Sequence, residues 1–247
     1  MSSNPRGKCI IINNSDFGNE AYNRHGAEFD EEKLVNLFKE LFFDVDVRPN
    51  LSANAIRGVA IEVAARDHSA FDAFVFIIMS HGNDRDIIYG VDARYVQTEE
   101  LMSEFKANKC PTLQNKPKLF IVQACRGSSQ DLVAPANHKI DLVSRGNSTD
   151  STLARGTCPQ EADFLLAYGA APGYTSYRNP GSGSLFIQVL VDVIRTHHRD
   201  SHLSELLQEV TSQLAEREIP QGGPNHEIHA LQVPAHSSST LRKKLYL

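Results

Sequence analysis

The chain has 247 residues, 41% hydrophobic and 22% charged, enough for one large or two small domains and too apolar for a disordered chain. Lys plus Arg number 25 against 30 Asp plus Glu, giving a net charge of −5. That balance argues against general binding to a phosphate backbone, so no nucleic-acid partner is expected. In chain order, Met1 to Gly7 is polar and leads straight into Cys9–Ile12, too short an apolar run for a secretory signal. Cys9–Ile12, Ala73–Met79, Leu119–Ala124 and Phe164–Tyr168 are short continuous apolar runs, the pattern of strands buried on both faces. Helical spacing separates them: Leu34, Leu37, Phe38 and Leu41, then Ile56, Val59, Ala60 and Val63. It returns at Ile187, Leu190, Val191 and Ile194, and again at Leu203, Leu206, Leu207 and Val210. Asp30 and Glu31 fit the start of the first helix, and Ser52 the start of the second. Strands alternating with amphipathic helices predict an α/β fold, a mostly parallel sheet with helices on both faces. No run reaches the roughly 18 apolar residues of a membrane span, so no membrane partner is expected.

Four cysteines, Cys9, Cys110, Cys125 and Cys158, form no C-x-x-C pair, and the ten histidines are scattered. Reduced thiols in the cytoplasm and no metal or other cofactor are the expectation. From Gly127 to Gln160 there is no Phe, Tyr or Trp and little periodicity. A loop of that length inside a compact domain implies a functional segment. The portion after Ala162 holds too few strands for a sheet of its own, so both portions are expected to share one.

Two strands end in chemically loaded residues. Phe74–Met79 runs into Ser80-His81-Gly82, and Leu119–Ala124 into Cys125-Arg126-Gly127. Ligands of open α/β sheets bind beyond the carboxyl ends of the strands, so His81 and Cys125 can face one substrate as general base and nucleophile. Gly82, lacking a Cβ, lets its N–H approach closely and join that of Cys125 in an oxyanion hole. Taken alone, Cys125 reads more readily as a buried structural thiol; its pairing with His81 favours chemistry. Gln123, two residues earlier on the same strand, shares the face of Cys125.

Gln123-Ala124-Cys125-Arg126-Gly127, with Ser80-His81-Gly82 ending a strand 44 residues upstream of the cysteine, resembles the known signature of the caspases. Cys9–Asn14 resembles their first strand, and Asn23-Arg24-His25-Gly26 the loop presenting a substrate-binding arginine. Ala162–Tyr168 followed by Ala171-Pro172-Gly173 resembles the opening of their small subunit, and Tyr177-Arg178-Asn179 their groove motif. The resemblance implies a caspase-like fold, with 1–150 as large subunit, a linker near 127–160, and 151–247 as small subunit. It implies a cysteine endopeptidase cutting after aspartate and acting in apoptosis. Cys125 would be nucleophile and His81 acid/base, oriented by a backbone carbonyl near Tyr22. Gly82 would hold the oxyanion, and Arg24, Gln123 and Arg178 the P1 aspartate, with Tyr177 and Asn179 beside them. Implied partners are protein substrates with P1 aspartate, a second copy of the large/small pair, protein inhibitors and activating caspases.

The chain departs from that pattern in places. It has no Trp, so Tyr177 stands where many members carry one. The outer-pocket loop Glu218–Glu227 has no aromatic residue. The last core strand, expected near Val233–Ser238 at the dimer interface, is polar, and paired His236 side chains would repel when protonated. The basic ending Thr240–Leu245 resembles initiator members, the short stretch before Cys9 executioners or an excised piece. A catalytically silent interaction protein of the same fold is the alternative, disfavoured by the presence of both Cys125 and His81. A relative cleaving after Arg or Lys would need acids in place of Arg24 and Arg178. Activation by cleavage after aspartate has three candidates in the loop: Asp131, Asp141 and Asp150. Asp131 lies six residues from the nucleophile, and Asp141 precedes bulky Leu142. Asp150–Ser151 in a polar stretch is the expected site, with Asp141–Leu142 second.

Overall fold

A computed structural model describes residues 1–83, 85–129, 131–132, 159–217, 219–221 and 228–247. In chain order the elements are β1 (Gly7–Asn13), α1 (Ala27–Glu40), β2 (Phe43–Pro49), α2 (Ala53–Ala64), β3 (Ala73–Met79), β4 (Gly82–Asn83) and β5 (Ile87–Tyr89). There follow β6 (Tyr95–Gln97), α3 (Thr98–Ser103), β7 (Lys118–Gln123), β8 (Asp131–Leu132), β9 (Phe164–Tyr168), β10 (Arg178–Asn179) and β11 (Gly183–Ser184). The chain closes with α4 (Leu185–His197), α5 (Leu203–Ala215), β12 (Ile219–Gln221), β13 (Ile228–Leu231) and β14 (Ala235–Ser239).

The central sheet runs β14-β9-β7-β3-β1-β2, parallel except for β14, which pairs antiparallel to β9. Its alternation explains why the strands read as continuous apolar runs. Cys9, Ile11, Val75, Ile77, Leu119, Ile121, Leu165 and Ala167 face α1, α4 and α5. Ile10, Ile12, Phe74, Phe76, Phe120, Val122, Phe164 and Leu166 face α2 and α3. Successive side chains point to opposite sides, and helices cover both. On the second face Phe74 stacks on Phe105 with centroids 4.5 Å apart, and Phe76 on Phe120 at 5.5 Å.

The α/β architecture is the expected one, with two differences. β2 is an additional strand: Phe43, Val45 and Val47 turn inward between Asp44, Asp46 and Arg48, the alternation of a half-covered edge. The last strand occupies Ala235–Ser239, slightly later than expected, and the side chains of residues 236–238, His236 included, lie outside the described residues. Ser52 does cap α2, accepting from the Ala55 N–H at 3.2 Å. Asp30 is not the solvated dipole partner its place in the first turn of α1 suggested. It is fully buried and accepts from the Ser184 N–H at 2.7 Å and from the Ser184 hydroxyl. The 1–150 and 151–247 boundary, Asp141, Asp150, Cys158 and most of Glu218–Glu227 lie outside the described residues. Strands on either side of that boundary nevertheless pair, β7 with β9.

Candidate active site

β3 and β7 lie side by side with Met79 opposite Gln123, so the residues that leave their carboxyl ends emerge together. His81 comes two residues after β3, Cys125 two after β7. The His81 Nε2 lies 2.8 Å from the Tyr22 carbonyl oxygen. A carbonyl has no proton to give, so Nε2–H donates and Nδ1 keeps its lone pair. Burial, and then the positive charges of Arg24 and Arg178, hold the imidazole below its ordinary value against that hydrogen bond. The Cys125 Sγ, partly exposed, lies 3.9 Å from the Ser176 carbonyl oxygen.

Gly82 opens β4 against the backbone of Cys125. A Cβ there would come within 2.7 Å of the Cys125 oxygen and 2.6 Å of the Ile87 oxygen. Only glycine fits this approach. Next to the cysteine, the Arg126 guanidinium lies 3.9 Å above the Tyr168 ring, and its Nε donates to Asp86 Oδ1 at 2.7 Å. That residue anchors the turn carrying the thiol to the β4–β5 hairpin.

The three residues assigned to the P1 pocket converge from separate elements. Arg24, in the loop after β1, is 2% exposed and donates from Nη1 to the Asn14 oxygen at 2.8 Å. Burial, with the charge of Arg178 next, pulls its guanidinium down to about 9, still protonated at neutral pH. Arg178 in β10 donates from Nε to the His25 oxygen at 2.9 Å, which ties it to the loop of Arg24. Gln123 is buried at the end of β7, its Nε2 donating to the Ser176 hydroxyl at 2.9 Å. Gly169 makes room for it: a Cβ there would come 2.1 Å from Gln123 Oε1.

Tyr177 and Asn179 line a cavity of about 690 Å³ with Arg178, Leu185, Gln188 and Arg217. Asn179 also closes its own turn, accepting from the Gly181 N–H at 2.8 Å. A second cavity, of about 430 Å³, is bounded by Gly82, Asn83, Gly127 and Gly173. Among the described residues no cluster of three His, Cys, Asp or Glu side chains could hold a metal ion.

Sequence reasoning missed Ser176 and Gln232. Gln232 is 1% exposed; its Oε1 accepts from the Tyr177 N–H at 2.9 Å and its Nε2 donates to the Ser176 hydroxyl at 3.2 Å. A glutamine inside the apolar run Ala230-Leu231-Gln232-Val233 was the available signal, since a buried amide needs partners. Ser176 had none beyond adjacency to the groove motif.

The peptidase C14 model, the caspase domain, matches residues 6–246. The chain belongs to the caspase family. It is 33% identical to caspase-8 of Rattus norvegicus over 257 residues, covering 100% of this chain and 52% of that protein. Caspase-7 of Gallus gallus is 36% identical over 247 residues, 97% of this chain and 76% of the relative. Caspase-3 of Bos taurus is 34% identical over 243 residues, 97% and 84%. The caspase domain described here thus spans about half the length of the caspase-8 relative. Within it, no described helix is long and apolar enough to cross a membrane.

Proposed function

We propose that this caspase domain is a cysteine endopeptidase that hydrolyses peptide bonds after aspartate. The observation that carries the reading is the meeting, beyond adjacent ends of β3 and β7, of a thiol and an oriented imidazole beside buried Arg24 and half-buried Arg178. His81 Nδ1 takes the thiol proton, and the Cys125 sulfur adds to the scissile carbonyl carbon. The N–H groups of Gly82 and Cys125 hold the resulting oxyanion. Imidazolium then gives its proton to the departing amine, leaving a thioester. Water, deprotonated by His81, attacks that thioester; its collapse releases the acid and restores the thiol. Arg24 and Arg178 receive the P1 carboxylate through paired charge-assisted hydrogen bonds, with Gln123 completing the floor.

Activation follows from a cut in the linker after Asp150, with Asp141 the second site, by this enzyme or another caspase. The active form is a homodimer of large/small pairs in the cytoplasm, serving apoptosis. The dimer surface lies along the outer edge of β14, the place that the caspase resemblance gives it, and an edge strand there offers backbone groups for pairing.

Matched fluorogenic peptides ending in Asp, Asn, Glu and Lys test the specificity. Leaving buried Arg24, with half-buried Arg178 beside it, without a carboxylate partner costs about 3–5 kcal/mol; at about 1.4 kcal/mol per decade, Asp exceeds Asn hundreds- to thousands-fold in kcat/KM. Equal cleavage of the two would remove Arg24 and Arg178 from the pocket, and turnover by Cys125→Ala would remove the nucleophile. Intact mass reads the linker cut: Asp150→Ala should suppress the fragment beginning at Ser151.

A further inference from the structure

One hydrogen bond does not fix an imidazole. The contact from His81 Nε2 to the Tyr22 oxygen sets the direction of one ring nitrogen but leaves the ring free to rock about the N–H···O axis. A second contact is needed to set the plane, and the structure supplies one. The Phe17 ring lies against the His81 ring with centroids 4.8 Å apart and planes inclined by 54°.

Phe17 and Tyr22 belong to one loop, which is bonded to itself. The Phe17 N–H donates to Asn23 Oδ1 at 2.8 Å, and the Asn23 N–H returns to the Glu20 oxygen at 3.3 Å. The Gly18 N–H donates to Asp16 Oδ1 at 2.9 Å, at a φ of 69° that glycine adopts freely. The stem is pinned from outside, since the Ser15 and Asp16 N–H groups share Asn50 Oδ1 at 2.9 and 3.0 Å. The ring and the carbonyl that touch His81 therefore hold a fixed spacing. The sheet explains why they reach it. β1 and β3 are neighbours with Asn13 opposite Met79, so the loop after β1 lies over the residues after β3.

We propose that Phe17 is a positioning residue for His81, the wall that sets the imidazole plane while the Tyr22 carbonyl sets the direction of Nε2. The inference rests on the reading of His81 as the acid/base. Arg24 stands on the same loop, so a merely structural disturbance of the loop would show in substrate binding. Loss of the wall instead shows in turnover, because misplacing a catalytic group by about 1 Å can cost about a hundredfold. The ring also keeps water from one face of the imidazole. The charged groups that act on His81 are Arg24 and Arg178, both positive; neither is altered by changing Phe17.

The test uses the full chain and a peptide with P1 aspartate, on Phe17→Ala, Phe17→Leu and Phe17→Tyr. Phe17→Ala is expected to lower kcat about ten- to a hundredfold with KM within about twofold of wild type. The acid limb of its kcat/KM profile moves to higher pH, as the imidazole regains water. Phe17→Tyr keeps the ring and restores kcat to within about twofold. Phe17→Leu keeps bulk without the flat face and loses kcat to a smaller degree, so it is the variant to read if Phe17→Ala does not fold. Wild-type kcat in the folded Ala or Leu variant overturns the proposal. So does a rise in KM alone, which would place the effect on Arg24, or a loss that Phe17→Tyr fails to restore. His81→Ala separates the two levels: if it retains turnover, the acid/base assignment has failed; if it abolishes turnover, the Phe17 variants judge the wall alone.

Discussion

At the scale of single residues, the site is defined by how near groups are allowed to come. Gly82→Ala puts a carbon against two backbone oxygens, 2.6 and 2.7 Å away, and neither is the tip of a flexible side chain. The β4–β5 hairpin must move away from Cys125, taking the proposed oxyanion donor of Gly82 with it. Loss of such a donor costs about 10²–10³ in kcat; a Gly82→Ala variant within threefold of wild type in a peptide assay would place the oxyanion elsewhere. The titration of His81 has a definite sign. Burial and two arginine charges lower its value, and a general base must be neutral to act. The acid limb of kcat/KM is therefore expected below the ordinary histidine value of about 6.5. A limb above that value would show that His81 is more hydrated and less exposed to positive charge than its surroundings indicate. These residues were legible in the sequence, because Cys125, His81 and Gly82 sit at the ends of unmistakably apolar strands. Phe17 and Ser176 were not, since their contacts come from loops whose course no periodicity encodes.

At the scale of elements, Asp30 joins two pieces of chain that are far apart in sequence. Its carboxylate on α1 takes both polar hydrogens of Ser184, which ends β11 directly opposite Arg178 in β10. Gly183 has a φ of 94°, and a Cβ on it would come 2.4 Å from Asp30 Oδ1. Burial raises the Asp30 carboxyl above its usual range, against the hydrogen bonds from Ser184 and the charges of Arg24 and Arg178. Asp30→Ala strands two buried donors at about 1–3 kcal/mol each. At about 2–4 °C per kcal/mol for a chain of this size, thermal unfolding should begin roughly 5–20 °C earlier. Asp30→Asn should lose less, because the Ser184 hydroxyl can turn and accept from the amide. An Ala variant that melts within a degree or two of wild type would show that the carboxylate carries little of this junction. The sequence placed Asp30 on a helix start, which is correct as position and silent about partner. Helix-terminus chemistry is local, whereas this bond spans 154 residues.

At the scale of the whole molecule, the two proposed subunits share one core. β9 lies between β7 and β14, and the apolar face beneath combines Leu119 and Ile121 with Leu165, Phe186, Leu190 and Leu207. Cutting the linker removes no sheet hydrogen bond among the described residues. Fragments 1–150 and 151–247 should therefore stay together on gel filtration and melt in a single transition close to that of the uncut chain. Separation under native conditions would contradict a shared core. Separating them would expose the apolar faces of both β7 and β9 and break the ladder between them, a loss of both hydrophobic burial and backbone pairing.

What the sequence determined by itself is whatever repeats along the chain or ends a repeat. Apolar runs and helical spacing specified a parallel sheet covered on both faces, and the motifs at the ends of β3 and β7 marked the proposed site. β2 escaped because an edge strand shows one apolar face and one polar one over a few residues, a weak signal beside its buried neighbours. Only the tertiary structure decided which loop touches which. It set Phe17 on His81, Gln232 behind Tyr177 and Ser176, and Asp30 under Ser184. Each of these is a contact between side chain and distant backbone or ring, governed by crossovers and close packing rather than by local preference. No window of neighbouring residues contains both partners, and the fold alone brings them together.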